Sequence, residues 1–177
     1  MDCKRVWLVS RINPDTGATA TFTTGFSAPQ GILYDGANLW VADSGDNNLK
    51  KLDASGAILQ SVPVGTTPEF PVFDGSNMWV PNYHGPSVTV VRARDGMVLA
   101  TLTGNGLNGP VQAAFDGQRI LVTNNNGNSV SLWNATDLTP IGNVSMGGGA
   151  PTFPNGACSD GINFWITLSG TNQLARL

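Results

Sequence analysis

The chain has 177 residues, enough for one domain with a sizeable core. Only 12% of it is charged, about half the usual share of roughly 25%; Gly, Asn, Thr and Ser take the place of Lys and Glu, a composition of short strands and tight turns. A net charge of −3 provides no basic footprint for nucleic acid, and no run approaches the roughly 18 apolar residues of a membrane span.

The first ten residues are too short and too quickly polar for a signal peptide. The low-charge, Asn/Thr/Gly-rich surface nevertheless suits an extracellular or periplasmic protein. Of the two cysteines, Cys158 aligns with Leu33, Val72 and Ala114 and reads as a small core residue. Cys3 lies at the terminus, and nothing in the sequence supports a disulfide between the two.

In chain order the first expected strands are Val6–Ile12 and Ala18–Thr24. After them the pair Asp-Gly occurs four times, as Asp35-Gly36, Asp74-Gly75, Asp116-Gly117 and Asp160-Gly161. The steps are 39, 42 and 44 residues. A proline stands six residues before each Asp (Pro29, Pro68, Pro110, Pro154). A large apolar residue stands five after it (Trp40, Trp79, Leu121, Trp165). Self-similarity at this period marks a repeat architecture.

The second repeat shows the unit. Phe70–Phe73 is an apolar run ended by Asp74-Gly75, a hairpin signal because the turn needs positive φ. Asn77–Val80 forms a second strand, and Asn82–Pro86 is polar loop. Ser87–Val91 is a third strand rich in β-branched residues. Asp95-Gly96 turns the chain into a fourth, Met97–Leu102. Four antiparallel strands in about 40 residues make a β-propeller blade.

The expected fold is therefore all-β: one propeller domain with blade repeats near 29–67, 68–109, 110–153 and 154–177. The first apolar residue of the third strand falls 14 after each Asp (Leu49, Val88, Val130, Leu174), so all length variation lies later, in surface segments. The +4 and +6 residues should share one face of the second strand and the Trp at +5 the other. Both faces should be covered by neighbouring blades, with the Trp residues as core. The chain opens inside a third strand and closes inside another. If Ala18–Thr24 completes the last blade, four blades close a ring. Otherwise this is part of a larger propeller, or a half that pairs with a second copy in a homo-oligomer.

The stretches Leu39–Leu49, Met78–His84 and Asn124–Leu132 resemble the blades of YVTN-type and NHL-type repeat propellers and of the related streptogramin lyase group. Such families include binding modules, surface proteins, sensor domains and a few enzymes, so the resemblance implies blade type and not function.

In these propellers the loops between second and third strands share one face with the loops leading into each first strand. Here that face should carry Asp43, Asp46, Asn82, Tyr83, Asn124 and Asn125 as ligand-binding residues, although Asn and Asp also favour turns in their own right. Glu69 and His84, the sole glutamate and sole histidine, fall on the same face. They form a candidate acid–base pair if within hydrogen-bond reach.

The leading expectation is a non-catalytic recognition or assembly module for a small molecule or protein, with no cofactor. The lyase resemblance implies an alternative: a carbon–oxygen lyase with His84 as acid–base, Glu69 as its orienter or metal ligand, and a divalent metal. That chemistry uses a second histidine, which this chain lacks. A third expectation is a fragment without activity of its own.

Overall fold

The structure, a computed structural model, describes residues 8–22 and 24–177. Cys3 and the start of the Val6–Ile12 strand lie outside them. Strands β1 (Val9–Ile12) and β2 (Thr19–Phe22) form a two-stranded hairpin. The first blade is β3 (Pro29–Tyr34), β4 (Leu39–Asp43), β5 (Asn48–Leu52) and β6 (Ile58–Pro63). The second is β7 (Val72–Phe73), β8 (Asn77–Asn82), β9 (Ser87–Arg92) and β10 (Val98–Leu102). The third is β11 (Pro110–Phe115), β12 (Arg119–Asn124), β13 (Ser129–Asn134) and β14 (Pro140–Ser145). The last sheet is β15 (Pro154–Ser159), β16 (Phe164–Leu168) and β17 (Gln173–Arg176). Each is an antiparallel meander in sequence order, and together they form a β-propeller.

The Asp-Gly turns form for the expected reason. Each Gly adopts positive φ (96°, 97°, 102° and 88°), a region closed to most side chains. Each Asp Oδ1 accepts the amides two and three residues on, as Asp35 does from Ala37 and Asn38. The repeat prolines open the first strands, where a missing N–H costs no ladder bond. A register shift follows Pro29, Pro110 and Pro154. In the second blade Pro68 is reduced to an isolated bridge with Asn82, so the run expected from Phe70 yields only the two residues of β7.

The core lies between blades. Trp40, Ala42 and Leu49 pack against Met78, Val80 and Val91. Trp79, Val88 and Val90 meet Ile120, Val122 and Trp133. Leu121, Val130 and Leu132 meet Phe164, Ile166 and Leu168. The +5 face of each blade thus covers the +4/+6 face of the next, as the two-residue alternation requires.

Two expectations are corrected. The strand expected over Ala18–Thr24 forms as β2 and pairs with β1, not with β17. Phe22 lies against Gly56 and Arg11 donates to the Ala54 carbonyl, which fixes the hairpin on the outer turn of the first blade. Among the described residues β17 has no fourth strand beside it. Among the described residues no further sheet stacks on the +5 face of the last one: Leu174 is 62% exposed, where its counterparts Leu49, Val88 and Val130 are 0%. Cys158, on the same face, is exposed and free rather than core.

Candidate functional site

The loop face is built by one repeated hydrogen bond. The first amide after each second strand donates to the carbonyl of the residue before the repeat proline. Ser44 donates to Ala28, Tyr83 to Thr67, and Asn125 to Gly109, each at 2.9 Å; Ser169 donates to Phe153 at 3.4 Å. This ties the β-strand loops to the lead-in loops and holds both at one end of the sheets.

A second device joins adjacent blades. Asn47 and Asn128 adopt left-handed backbone conformations (φ 59° and 48°) that Asn tolerates better than most residues. Their side-chain carbonyls accept amides of the next lead-in loop: Asn47 from Thr67 at 2.8 Å, Asn128 from Thr152 at 2.7 Å and Phe153 at 3.1 Å.

On this frame Glu69, Tyr83, His84 and Asn125 converge on one open depression of about 350 Å³ near the axis. Thr67 and Asn155 add polar groups to it, and Phe70 and Val111 an apolar wall. Thr67 is held at φ 58°, an uncommon conformation for a β-branched residue. Its hydroxyl meets His84 Nδ1 at 2.9 Å. The His84 ring stands edge-on to Tyr83, with centroids 4.9 Å apart, and the Tyr83 hydroxyl donates to Asn126 Oδ1 at 3.0 Å. The Phe70 amide donates to the Val111 carbonyl and the Ala113 amide to the Phe70 carbonyl. The innermost segments of blades two and three therefore touch directly, leaving Phe70 39% exposed in the depression.

Glu69 is half-buried, and burial alone pushes its carboxyl above the usual range. Its carboxylate accepts no hydrogen bond from the described residues, and none joins it to His84.

The other expected ligand residues lie elsewhere. Asp43, Asn82 and Asn124 are fully buried beneath the face. Asp43 accepts the Ser27 and Ala28 amides at 2.8 and 2.6 Å and pairs with Lys50 at 2.6 Å. Asn82 donates to Ser87 and Thr89, and Asn124 to Ser129 and Ser131. These side chains tie the second strand to the third within a blade, so they are structural. Asp46, at the rim, is drawn into the Lys50 ion pair. Burial opposes the charge on Lys50, but its bonds to Asp43 and Asp46 outweigh that and hold the ammonium above its usual range.

Lys50 and Phe70 escaped the sequence reading. Lys50 occupies the position of Thr89 and Ser131, and Phe70 reads locally as strand core. A larger groove of about 520 Å³ lies at the opposite, Asp-Gly end. Two of its three cations are engaged: Arg92 chelates Asp95, and Lys51 donates to the Ala93 carbonyl and stands over the Trp40 ring, while Arg94 approaches Asp95 only at 3.6 Å. The loop-face depression, with its unengaged carboxylate, is the better candidate.

The sequence matches no protein-family model and no curated protein. Among solved structures, streptogramin B lyase superposes with a TM-score of 0.84 at 17% identity, over 97% of this chain and 58% of that one. Virginiamycin B lyase from Staphylococcus aureus gives 0.82 at 19% identity, over 97% and 60%. The fold is that of the streptogramin lyase propellers. Hydrazine synthase from Kuenenia stuttgartiensis also matches, at 0.65 and 16% identity, over 87% of this chain and 50% of that one. The chain spans 58% and 60% of the two lyases, so the likeness extends to blade arrangement and not to a whole lyase.

A divalent metal would need several carboxylate or imidazole ligands. Among the described residues no group of three or more His, Cys, Asp or Glu side chains is placed to hold one. The described residues do not fit a metal site.

Proposed function

We propose that this chain is a recognition module that binds its ligand, a small molecule or a side chain of a partner protein, in the depression around Glu69. The supporting observation is convergence: Glu69, Tyr83, His84 and Asn125, from two blades, line one cavity whose loops are braced by the repeated amide-to-carbonyl bonds. A rigid scaffold carrying polar groups around a partly apolar wall is the usual form of a small-ligand site. An amide-resolved NMR screen of small polar fragments tests it. Chemical-shift changes should cluster at Thr67, Phe70, Tyr83 and Asn125, and should be lost in Tyr83→Ala. Changes scattered over the surface would overturn the proposal.

One observation favours a second reading, that of a carbon–oxygen lyase: His84 and Glu69 share the cavity. His84 Nδ1 is already bonded to Thr67, which leaves Nε2 as its reactive nitrogen. Elimination from streptogramin B by the purified chain, lost in His84→Ala, would establish this reading; no turnover by the wild type would remove it.

A further inference from the structure

We infer that the depression around Glu69 recognises a primary ammonium group. The inference rests on the binding reading above and specifies its ligand.

The other buried and partly buried carboxylates among the described residues are furnished with donors. Asp35, Asp53, Asp74 and Asp116, all partly buried, each accept backbone amides, and Asp43 accepts two amides and Lys50. Glu69 is the exception: half-buried, with no donor from the described residues and no lysine or arginine lining its cavity. A half-buried charge with no partner in the chain is partly desolvated and favours a cation or a donor from outside it.

Three of the neighbouring donors are engaged by other groups. The Tyr83 hydroxyl is given to Asn126, the Asn125 amide to the Pro154 carbonyl, and the Thr67 hydroxyl is bonded to His84. The cavity's remaining polar groups are the Glu69 carboxylate, its one carboxylate, with the Asn125, Asn155 and His84 side chains. The rings of Phe70 and Tyr83 line the same cavity, and aromatic faces attract cations. A primary ammonium brings three donors and a positive charge, with an alkyl stem for Phe70 and Val111. An anion would meet the Glu69 charge with no cation to offset it, and a metal ion would find a single carboxylate.

The test is an NMR titration of the purified chain at neutral pH with n-butylammonium, n-butanol and calcium in parallel arms. The ammonium should saturate shifts at the Thr67, Phe70, Tyr83 and Asn125 amides. Butanol and calcium should not. Glu69→Gln, which keeps the shape and removes the charge, should weaken ammonium binding roughly tenfold or more, with the remaining spectrum showing that it folds. Equal binding of butanol, or undiminished ammonium binding by Glu69→Gln, overturns the ammonium inference while the depression stands as a binding site. Saturation by calcium in place of the ammonium overturns it in favour of a metal. Failure of n-butylammonium to shift these amides overturns it too, and the broader fragment screen then decides the binding reading separately.

Discussion

The indole N–H of Trp40 donates to Asp35 Oδ2 at 2.7 Å, so the residue that fills the inter-blade core also fixes the turn that precedes it. The same bond recurs from Trp79 to Asp74 at 2.7 Å and from Trp165 to Asp160 at 2.8 Å. Where Leu121 replaces the Trp, Arg119 Nε reaches Asp116 Oδ2 at 2.7 Å instead. The five-residue spacing from Asp to Trp is thus one hydrogen-bonded unit with two solutions.

Trp79→Phe keeps most of the buried ring and removes the donor. It should cost about 1–3 kcal/mol, the range for leaving a partly buried acceptor unmatched. Arg119→Met should cost less, about 0.5–1 kcal/mol, because its side chain is 41% exposed and the pair is screened. Urea denaturation of the two variants checks the order; the reverse order would mean that the indole contributes only by packing.

Lys50 is 3% exposed between Asp43 and Asp46. Lys50→Thr alone leaves Asp43 buried and short of a partner, with an expected loss of about 3–5 kcal/mol. The corresponding pairs in the next two blades are Asn82 with Thr89 and Asn124 with Ser131. The double variant Asp43→Asn, Lys50→Thr copies the second blade and should recover most of that stability. Equilibrium unfolding of the single and double variants measures the recovery.

Asn128 combines a left-handed backbone with a side chain that accepts two amides. Asn128→Gly keeps the backbone and loses the bonds, at about 1–2 kcal/mol. Asn128→Ala also strains the backbone and should cost about 1 kcal/mol more. Thermal melts of both variants separate the two contributions.

The turn carboxylates govern the acid response. Burial raises Asp35 and Asp116, but bonds from turn amides, with Trp40 to Asp35 and Arg119 to Asp116, outweigh it and hold both below the usual range. In Asp160 the Asn163 amide and then the Trp165 indole lower it directly. Folded values lie below unfolded ones, so this stabilisation is present above about pH 4 and is lost as pH falls through the folded values. Glu69 has the opposite sign: raised by burial, it destabilises the fold when charged, and acidification relieves that. Glu69→Gln should therefore stabilise the chain at pH 7, by less than about 1 kcal/mol because the half-exposed carboxylate is screened by solvent. That gain should vanish in acid, which unfolding series at pH 7 and pH 4 would reveal.

Cys158 lies with Leu174 on the +5 face of the last sheet, and both are exposed. It should react with a thiol reagent in the native chain at a rate near that of the unfolded chain. Protection of an order of magnitude or more would show that another surface covers that face in solution.

Much of the fold is written locally. Positive φ at the Asp-Gly turns, the two-residue alternation around Trp40, Met78 and Val80, and the near-constant period need only short-range sterics and burial. The strands and their order were therefore legible. The loop face was also legible in part: Glu69, Tyr83, His84 and Asn125 meet because second-strand ends and lead-in loops lie at one end of every blade.

Which polar residue faces water was not legible. Asn and Asp serve equally as exposed turn formers and as buried ties, and Asp43, Asn82 and Asn124 became ties only because Lys50, Thr89 and Ser131 stand opposite them across the hairpin. Phe70 looked like core because exposure depends on the neighbouring blade, which bonds it edge to edge through Val111 and Ala113 and leaves the ring at the cavity. Cys158 failed in the opposite direction: its position is core only where a further sheet stacks on it. By itself the sequence determined the blades, through contacts a few residues apart. The tertiary structure decided which faces and carboxylates are left without partners, because that depends on groups brought together from different blades.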